Sequence, residues 1–132
     1  MDDFLKKIID GNSVTPSDVC LNAFKQKFGD ALNVDWYEKG EFFEAIFYKE
    51  KIEHIAIFDL EGTLIEYKTY LPEGYLPESI KSIAETKGEI MSSVMRNKGN
   101  RIEYEIIVRD ASLTRYLITL TDMGSLIEEK ML

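Results

Sequence analysis

Residues Ile55 to Glu66 read IAIFDLEGTLIE. An apolar run leads into Asp59, a second carboxylate follows at Glu61, and Gly62-Thr63 comes next. A carboxylate at the end of a buried strand can attack a phosphoryl group, and a second one two residues on can protonate the leaving group. Chemistry of that kind also needs magnesium, held by further oxygen ligands. The string is therefore either a reaction centre or a turn between two strands.

Few other residues offer chemistry. His54 is the only histidine and Cys20 the only cysteine. Glu53 adjoins His54, but neighbouring residues of a strand point to opposite faces, so His54 reads as a sheet histidine. Cys20 lies among Leu21 and Phe24 with no histidine nearby in sequence, so it reads as a buried, inert thiol. The run EYKTYLPEGYLPE places Tyr67, Tyr70 and Tyr75 around two prolines. It reads as a linker whose tyrosines cover the edge of a core, with a recognition loop as the alternative. A glycine-rich phosphate loop, a CxxC pair, HExxH and a Ser-His-Asp set are all missing. No cofactor and no metal site are expected.

The elements that would carry these residues follow from periodicity. Phe4, Leu5, Ile8 and Ile9 fit a short amphipathic helix over 3–10. TPSD reads as a helix start, with Thr15 as N-cap, Pro16 at the first helical position and Asp18 near the positive end of the dipole. Cys20, Leu21, Phe24 and Phe28 recur at helical spacing, and Gly29 is a plausible stop. VDWYEK, FFEAIFYK, IEHIAIFD and TLIEYKTY then read as four strands, separated by Gly40, Glu50-Lys51 and Glu61-Gly62. Such short connections favour antiparallel hairpins. A second helix follows Pro77, with Ile80, Ile83 and Ala84 on one face and Gly88 at its end. IMSSVMR, the weakest of the strand runs, precedes IEYEIIVR, LTRYLITL and SLIEEKML.

The order helix-then-strands thus occurs twice, and residues recur with it. Gly29 answers to Gly88, Gly40 to Gly99, Phe43-Glu44 to Tyr104-Glu105, and GTLIE to GSLIE. Repeats of this size mean two copies of one supersecondary unit. The second copy of FDLEGTLIE is LTDMGSLIE, which keeps the glycine, the small hydroxyl residue and Leu-Ile-Glu. It replaces Asp59 by Thr121 and Glu61 by Met123. Turn chemistry persists and the reacting carboxylates do not. The string resembles the D-x-D-G-T signature of haloacid-dehalogenase-type phosphatases, but those need alternating strands and helices in a parallel sheet. Here strands follow strands, and Glu61 is one methylene longer than the required Asp. A magnesium-dependent phosphatase-like hydrolase using Asp59 and Glu61 is the alternative reading.

Composition narrows the function classes. The chain has 132 residues, 45% hydrophobic and 30% charged, with a net charge of -8. That is enough for one domain with a core. The negative balance argues against nucleic acid and anionic membranes, whose binding relies on Lys and Arg. No apolar run approaches the length of a membrane span. The start MDDFLKKIIDGN lacks the regions of a signal peptide. The protein is then cytoplasmic if Met1 is its native start, and periplasmic or secreted if a signal has been removed.

Helix, turn and strand residues together resemble the PepSY-like proteins related to beta-lactamase-inhibitor protein, which are common in Bacteroidetes-type bacteria. The matching residues are Phe28-Gly29, Val34 and Trp36, Gly40, Phe43/Ala45/Phe47, Phe58-Asp59, Gly62 and Leu76-Pro77. Tyr104 to Val108 and Gly124 follow more loosely. The resemblance covers about residues 16–132 and implies export, a protein-binding role and no catalytic residues. The expected fold is α+β: two repeats of a helix plus antiparallel strands, forming one extended sheet with both helices on one face. A curved sheet enclosing a small-molecule pocket is the structural alternative. Residues 1–14 are expected to be an N-terminal extension and 15–132 a single domain of two repeats, about 15–70 and 76–132. The expected function is a non-enzymatic protein- or peptide-binding module, an inhibitor or modulator of an extracytoplasmic enzyme. Alternation turns Phe43, Ala45 and Phe47, with Tyr104, Ile106 and Val108, toward the helices. It leaves Ile46, Tyr48, Ile107 and Arg109 as candidate contacts on an exposed sheet face. A homodimer through that face is the other expected use of it.

Overall fold

The computed structural model describes residues 14–132. The helix expected over 3–10 and nearly all of the N-terminal extension fall outside the described residues. Two helices, α1 (Asp18–Lys27) and α2 (Glu78–Glu85), accompany eight strands. The strands are β1 (Leu32–Lys39), β2 (Phe42–Lys49), β3 (Ile52–Asp59), β4 (Leu64–Tyr70), β5 (Glu89–Asn97), β6 (Ile102–Arg109), β7 (Arg115–Thr121) and β8 (Leu126–Met131). They are hydrogen-bonded in chain order in one eight-stranded sheet, and each described pairing is antiparallel. The α+β class expected from sequence is therefore observed. The chain divides into two compact units at Tyr67/Lys68, described in turn.

In the first unit, α1 starts at Asp18, two residues later than the expected first helical position Pro16. Ser17, not Thr15, is the N-cap, and its hydroxyl accepts from the Cys20 N–H at 3.3 Å. A serine followed by Asp18 suits the helix start as well as the Thr-Pro pair does, because both supply a short oxygen before the first turn. Cys20 and Phe24, four apart, share a helix face and pack on the sheet. Their partners are Trp36, Phe43, Ala45, Phe47, Ala56 and Phe58, the inward residues of β1–β3. This core is aromatic. The Phe24 ring lies 5.1 Å from Phe47 and 5.2 Å from Trp36, both edge-on, and 5.3 Å from Phe28.

In the second unit, α2 begins directly after Pro77, whose carbonyl accepts from Ile80 and Lys81. Ile80 and Ala84 are buried, as their spacing requires. They meet Tyr104, Ile106, Val108, Ile118 and Leu120 in a core that is mainly aliphatic. IMSSVMR is a weak strand pattern for a physical reason. The register of β5 against β6 slips between Ile90 and Ser92, so the period of two is broken inside the strand.

Three hairpins in the chain share one turn. In β3–β4 the Asp59 N–H donates to Thr63 O at 3.0 Å and Gly62 N–H donates to Asp59 O at 3.1 Å. Asp110 repeats this with Thr114 and Leu113, and Thr121 repeats it with Ser125 and Gly124. The fourth residue of each turn is left-handed: Gly62 at φ 84°, Leu113 at 67° and Gly124 at 89°. Glycine takes that conformation without steric cost. Gly62 and Gly124 also lie tight against their own helices. A Cβ on Gly62 would sit 2.6 Å from Val19 Cγ1, and one on Gly124 would collide with Ile83 Cδ1.

Candidate functional site: a turn string and two outward faces

The geometry of FDLEGT makes Asp59 a turn residue. Its Oδ1 accepts from the N–H groups of Glu61 and Thr63, both at 2.9 Å. Its carbonyl accepts from the thiol of Cys20 at 3.1 Å. Asp110 uses its own Oδ1 in the same way, accepting from Ser112 at 2.9 Å and Thr114 at 3.0 Å. Thr121 does so with its hydroxyl, accepting from Ser125 at 3.0 Å. A carboxylate, a second carboxylate and a hydroxyl thus do the same work at three corners, which is side-chain mimicry of a turn. Asp59 sits at the end of an antiparallel strand, whereas the phosphatase arrangement needs a parallel sheet. Cys20 is fully buried and its thiol is occupied by the β3–β4 corner, so it ties α1 to that hairpin.

His54 is also a packing residue. It is buried at 8% exposure and stacked between Phe47, 5.4 Å away, and Tyr67, 5.5 Å away. The Tyr67 hydroxyl meets His54 Nδ1 at 2.5 Å. Burial, and then the charge of Lys49, hold the imidazole below its ordinary pKa, while a hydrogen bond to the Lys49 backbone works the other way. A neutral ring accepting from the Tyr67 hydroxyl is the consistent state. Of the three loop tyrosines, Tyr67 therefore belongs to the first core, stacked also on Phe28 at 5.2 Å. Tyr70 and Tyr75 are exposed. In the second unit, burial and then the charge of Asp122 raise the Tyr104 hydroxyl above its usual value. Among the described residues, no group of three His, Cys, Asp or Glu side chains is placed to hold a metal ion.

The four candidate contacts separate. Register places them where alternation expected: Ala45 lies opposite Ala56 on the α1 side, and Ile46 lies opposite Ile55 on the other. Ile46, however, is 2% exposed. It forms a second buried cluster with Tyr37 and Ile55, against which Ile57 packs. The expectation of an exposed Ile46 is corrected: its outward direction was right and its solvent exposure was not. The reason is its neighbours, since Tyr37, Ile55 and Ile57 make that side apolar where a solvated face would alternate with polar residues. Tyr48, two residues on, is exposed, and its hydroxyl lies 3.4 Å from Glu53 Oε2.

Ile107 and Arg109 stand on the face of β6 away from α2. Ile107 is half-buried, between Ser92 of β5 and Leu117 of β7. Arg109 donates to Glu89 Oε2 at 2.9 Å. The same face carries Arg96 with Glu105 at 3.0 Å, and Glu103 with Arg101 at 3.1 Å and Lys98 at 3.8 Å. Alternation already puts Glu105 on this face with Ile107 and Arg109; sequence reasoning missed Arg96 and Glu103 as part of this surface. Their positions alternate with the inward apolar residues of β5 and β6, so the period of two held the signal.

The fold of the chain is shared with solved structures, a BLIP-like protein among them. No protein-family model matches the chain, and no curated protein matches it. Solved structures do. A BLIP-like protein from Bacteroides fragilis superposes with a TM-score of 0.79, covering 93% of this chain and 91% of its own, at 19% identity. A DUF2874 family protein from Bacteroides ovatus gives 0.80, with 89% of each chain covered, at 17% identity. A Bacteroides eggerthii protein, described provisionally as periplasmic, gives 0.80 over 89% of this chain and 90% of its own at 14% identity. The resemblance read from FD-x-x-G, Val-x-Trp and Leu-Pro thus leads to structures of the same kind. Among the described residues, no helix is long and apolar enough to cross a membrane.

Proposed function

We propose that the protein is a non-enzymatic protein- or peptide-binding module whose two units are copies of one helix-plus-four-strand element in a single domain. The observation that carries the binding role is the outward face of β5–β7. It offers half-buried Ile107 and Leu117 among Arg109, Arg96 and Glu105, an apolar centre inside a charged surround. A surface of that composition suits a protein partner, with Arg as a favoured anchor. Tyr48 is a further candidate contact on the first unit. The BLIP-like neighbour supports an inhibitor or modulator of an enzyme as the more specific role, and the eggerthii neighbour supports an extracytoplasmic setting.

Capture from the native organism tests this reading, with the wild-type chain and an Ile107→Asp/Arg109→Glu variant immobilised in parallel. The reading expects a protein retained by the first and lost from the second, with both melting as folded proteins. Equal retention by the two would exclude this face. Magnesium-dependent hydrolysis of a phosphate ester, abolished by Asp59→Asn, would restore the hydrolase reading instead.

A further inference from the structure

The last strand of the sheet carries a separate surface. β8 pairs with β7 on one side and, among the described strands, with nothing on the other. Its six residues are all exposed. Ile127 is 49% exposed and Met131 66%. An edge of this kind, with unpaired main-chain groups and apolar side chains, is a template for another strand.

Its hydrogen-bonding phase limits what can be added. The Leu132 N–H donates to Arg115 O at 2.9 Å. Main-chain bonding alternates along an antiparallel strand, so Lys130 and Glu128 also direct their groups to β7. Glu129 and Met131 direct theirs to the open edge. A second β8 docking antiparallel must therefore set odd-numbered residues opposite odd-numbered ones. Among the two-fold registers that satisfy this, the one centred on Glu129 sets Glu128 opposite Lys130 of the second copy, and Lys130 opposite its Glu128. The β7–β8 register slips between Leu126 and Glu128, so Ile127 falls at a bulge and the regular alternation of the edge runs from Glu128 to Met131. Registers centred on Glu128, Glu129 or Lys130 each oppose one like pair at the centre, and of these only the one centred on Glu129 adds two opposite-charge pairs. The two Glu129 side chains at the centre lie on the α2 side, where each is already engaged by Lys87 of its own chain at 3.3 Å.

We propose that β8 is a self-association edge, joining two copies of this chain through an antiparallel β8–β8 pair in the register centred on Glu129. The symmetry is isologous: each copy offers the same edge, and the two Glu128–Lys130 pairs are equivalent. Opposite charges directly across an antiparallel pair stabilise it and like charges oppose it. The register therefore makes a charge-swap test possible at two exposed positions.

The full chain is examined by sedimentation equilibrium over a wide concentration range. Wild type is expected to show a reversible dimer. Lys130→Glu alone and Glu128→Lys alone are each expected to be monomeric, since each places like charges opposite one another twice. The Glu128→Lys/Lys130→Glu double variant is expected to regain the dimer. A mixture of the two single variants is expected to form a heterodimer, because both cross-strand pairs are then complementary. A wild-type chain that stays monomeric at every concentration overturns the proposal. So does a dimer that survives both single swaps, or one that Ile107→Asp dissolves, which would assign association to the sheet face.

Discussion

Strands β2 and β6 hold the same place in their units and alternate in the same way, yet their outward residues differ. Both turn an apolar row toward a helix: Phe43, Ala45 and Phe47 in one, Tyr104, Ile106 and Val108 in the other. On the reverse side, Ile46 is buried with Tyr37 and Ile55, while Ile107 stands half-buried among ion pairs. The inward cores differ too, aromatic around Phe24 and mainly aliphatic around Ile80. Alternation specifies direction, and the composition of the neighbouring strands specifies what each direction meets.

The sharpest way to break this comparison is one charge on each side. Ile46→Asp is expected to cost about 4 kcal/mol or to unfold the protein, because it buries a carboxylate among apolar groups. Ile107→Asp is expected to cost about 1 kcal/mol, as at a partly exposed strand site. Denaturant titration of both variants checks the contrast, and equal costs would dissolve it.

The corner glycines give the next largest difference. Gly62→Ala is expected to cost about 3 kcal/mol, since the left-handed backbone is strained and the new Cβ also meets the Val19 backbone at 3.1 Å. Gly124→Ala meets only the end of the Ile83 side chain, which can rotate away, and should cost about 1–2 kcal/mol. Melting curves for the pair decide whether the two corners are equally tight.

Asp59→Ala removes an acceptor from two main-chain donors and is expected to cost about 1–2 kcal/mol. Asp110→Ala should cost the same, because its geometry is the same; a much larger effect at Asp59 would point to a role beyond the turn. Leu113 tests the turn from the other direction. It is a 70% exposed leucine at φ 67°, so Leu113→Gly should gain about 0.5–1 kcal/mol, the relief of strain exceeding the entropy of glycine.

The smallest effect is a pH dependence confined to the first unit. The folded-state pKa of His54 is depressed, so the unfolded chain takes up its proton first. Nothing is lost above about pH 6.5, and stability falls as the pH drops below that value toward the folded pKa. His54→Gln should flatten this part of the stability profile. An unchanged slope would mean that the ring is not held neutral.

Much of this was readable from residues. The Glu50-Lys51 connection is a two-residue hairpin turn, with φ 54° and 68°. Seven strand runs were plain, and the eighth was faint because of the slip between Ile90 and Ser92. The turn role of Asp59 followed from LTDMGSLIE, which keeps the corner and drops both carboxylates. DASLT at Asp110 builds the same corner with Leu113 in the left-handed position, so glycine spacing does not reveal it. Thr15 and Ser17 both carry the short hydroxyl that suits an N-cap, so residue type alone does not choose between a helix starting at Pro16 and one starting at Asp18. Burial of Ile46 was out of reach because it depends on which residues of β1 and β3 flank it, which register settles and local pattern does not.

The chain-order sheet has a consequence for how the molecule is made. Sheet proteins fold slowly when strands distant in sequence must find one another, since the loop between them must close before any contact forms. Here the hairpin pairings within each unit join consecutive strands across a connection of two to five residues. Each hairpin can assemble from its own neighbourhood, and its corner is prepared by Asp59, Asp110 or Thr121 in three cases. Contact order is accordingly low for so much sheet, and refolding is expected to be fast, with little time for open strand edges to meet those of other chains.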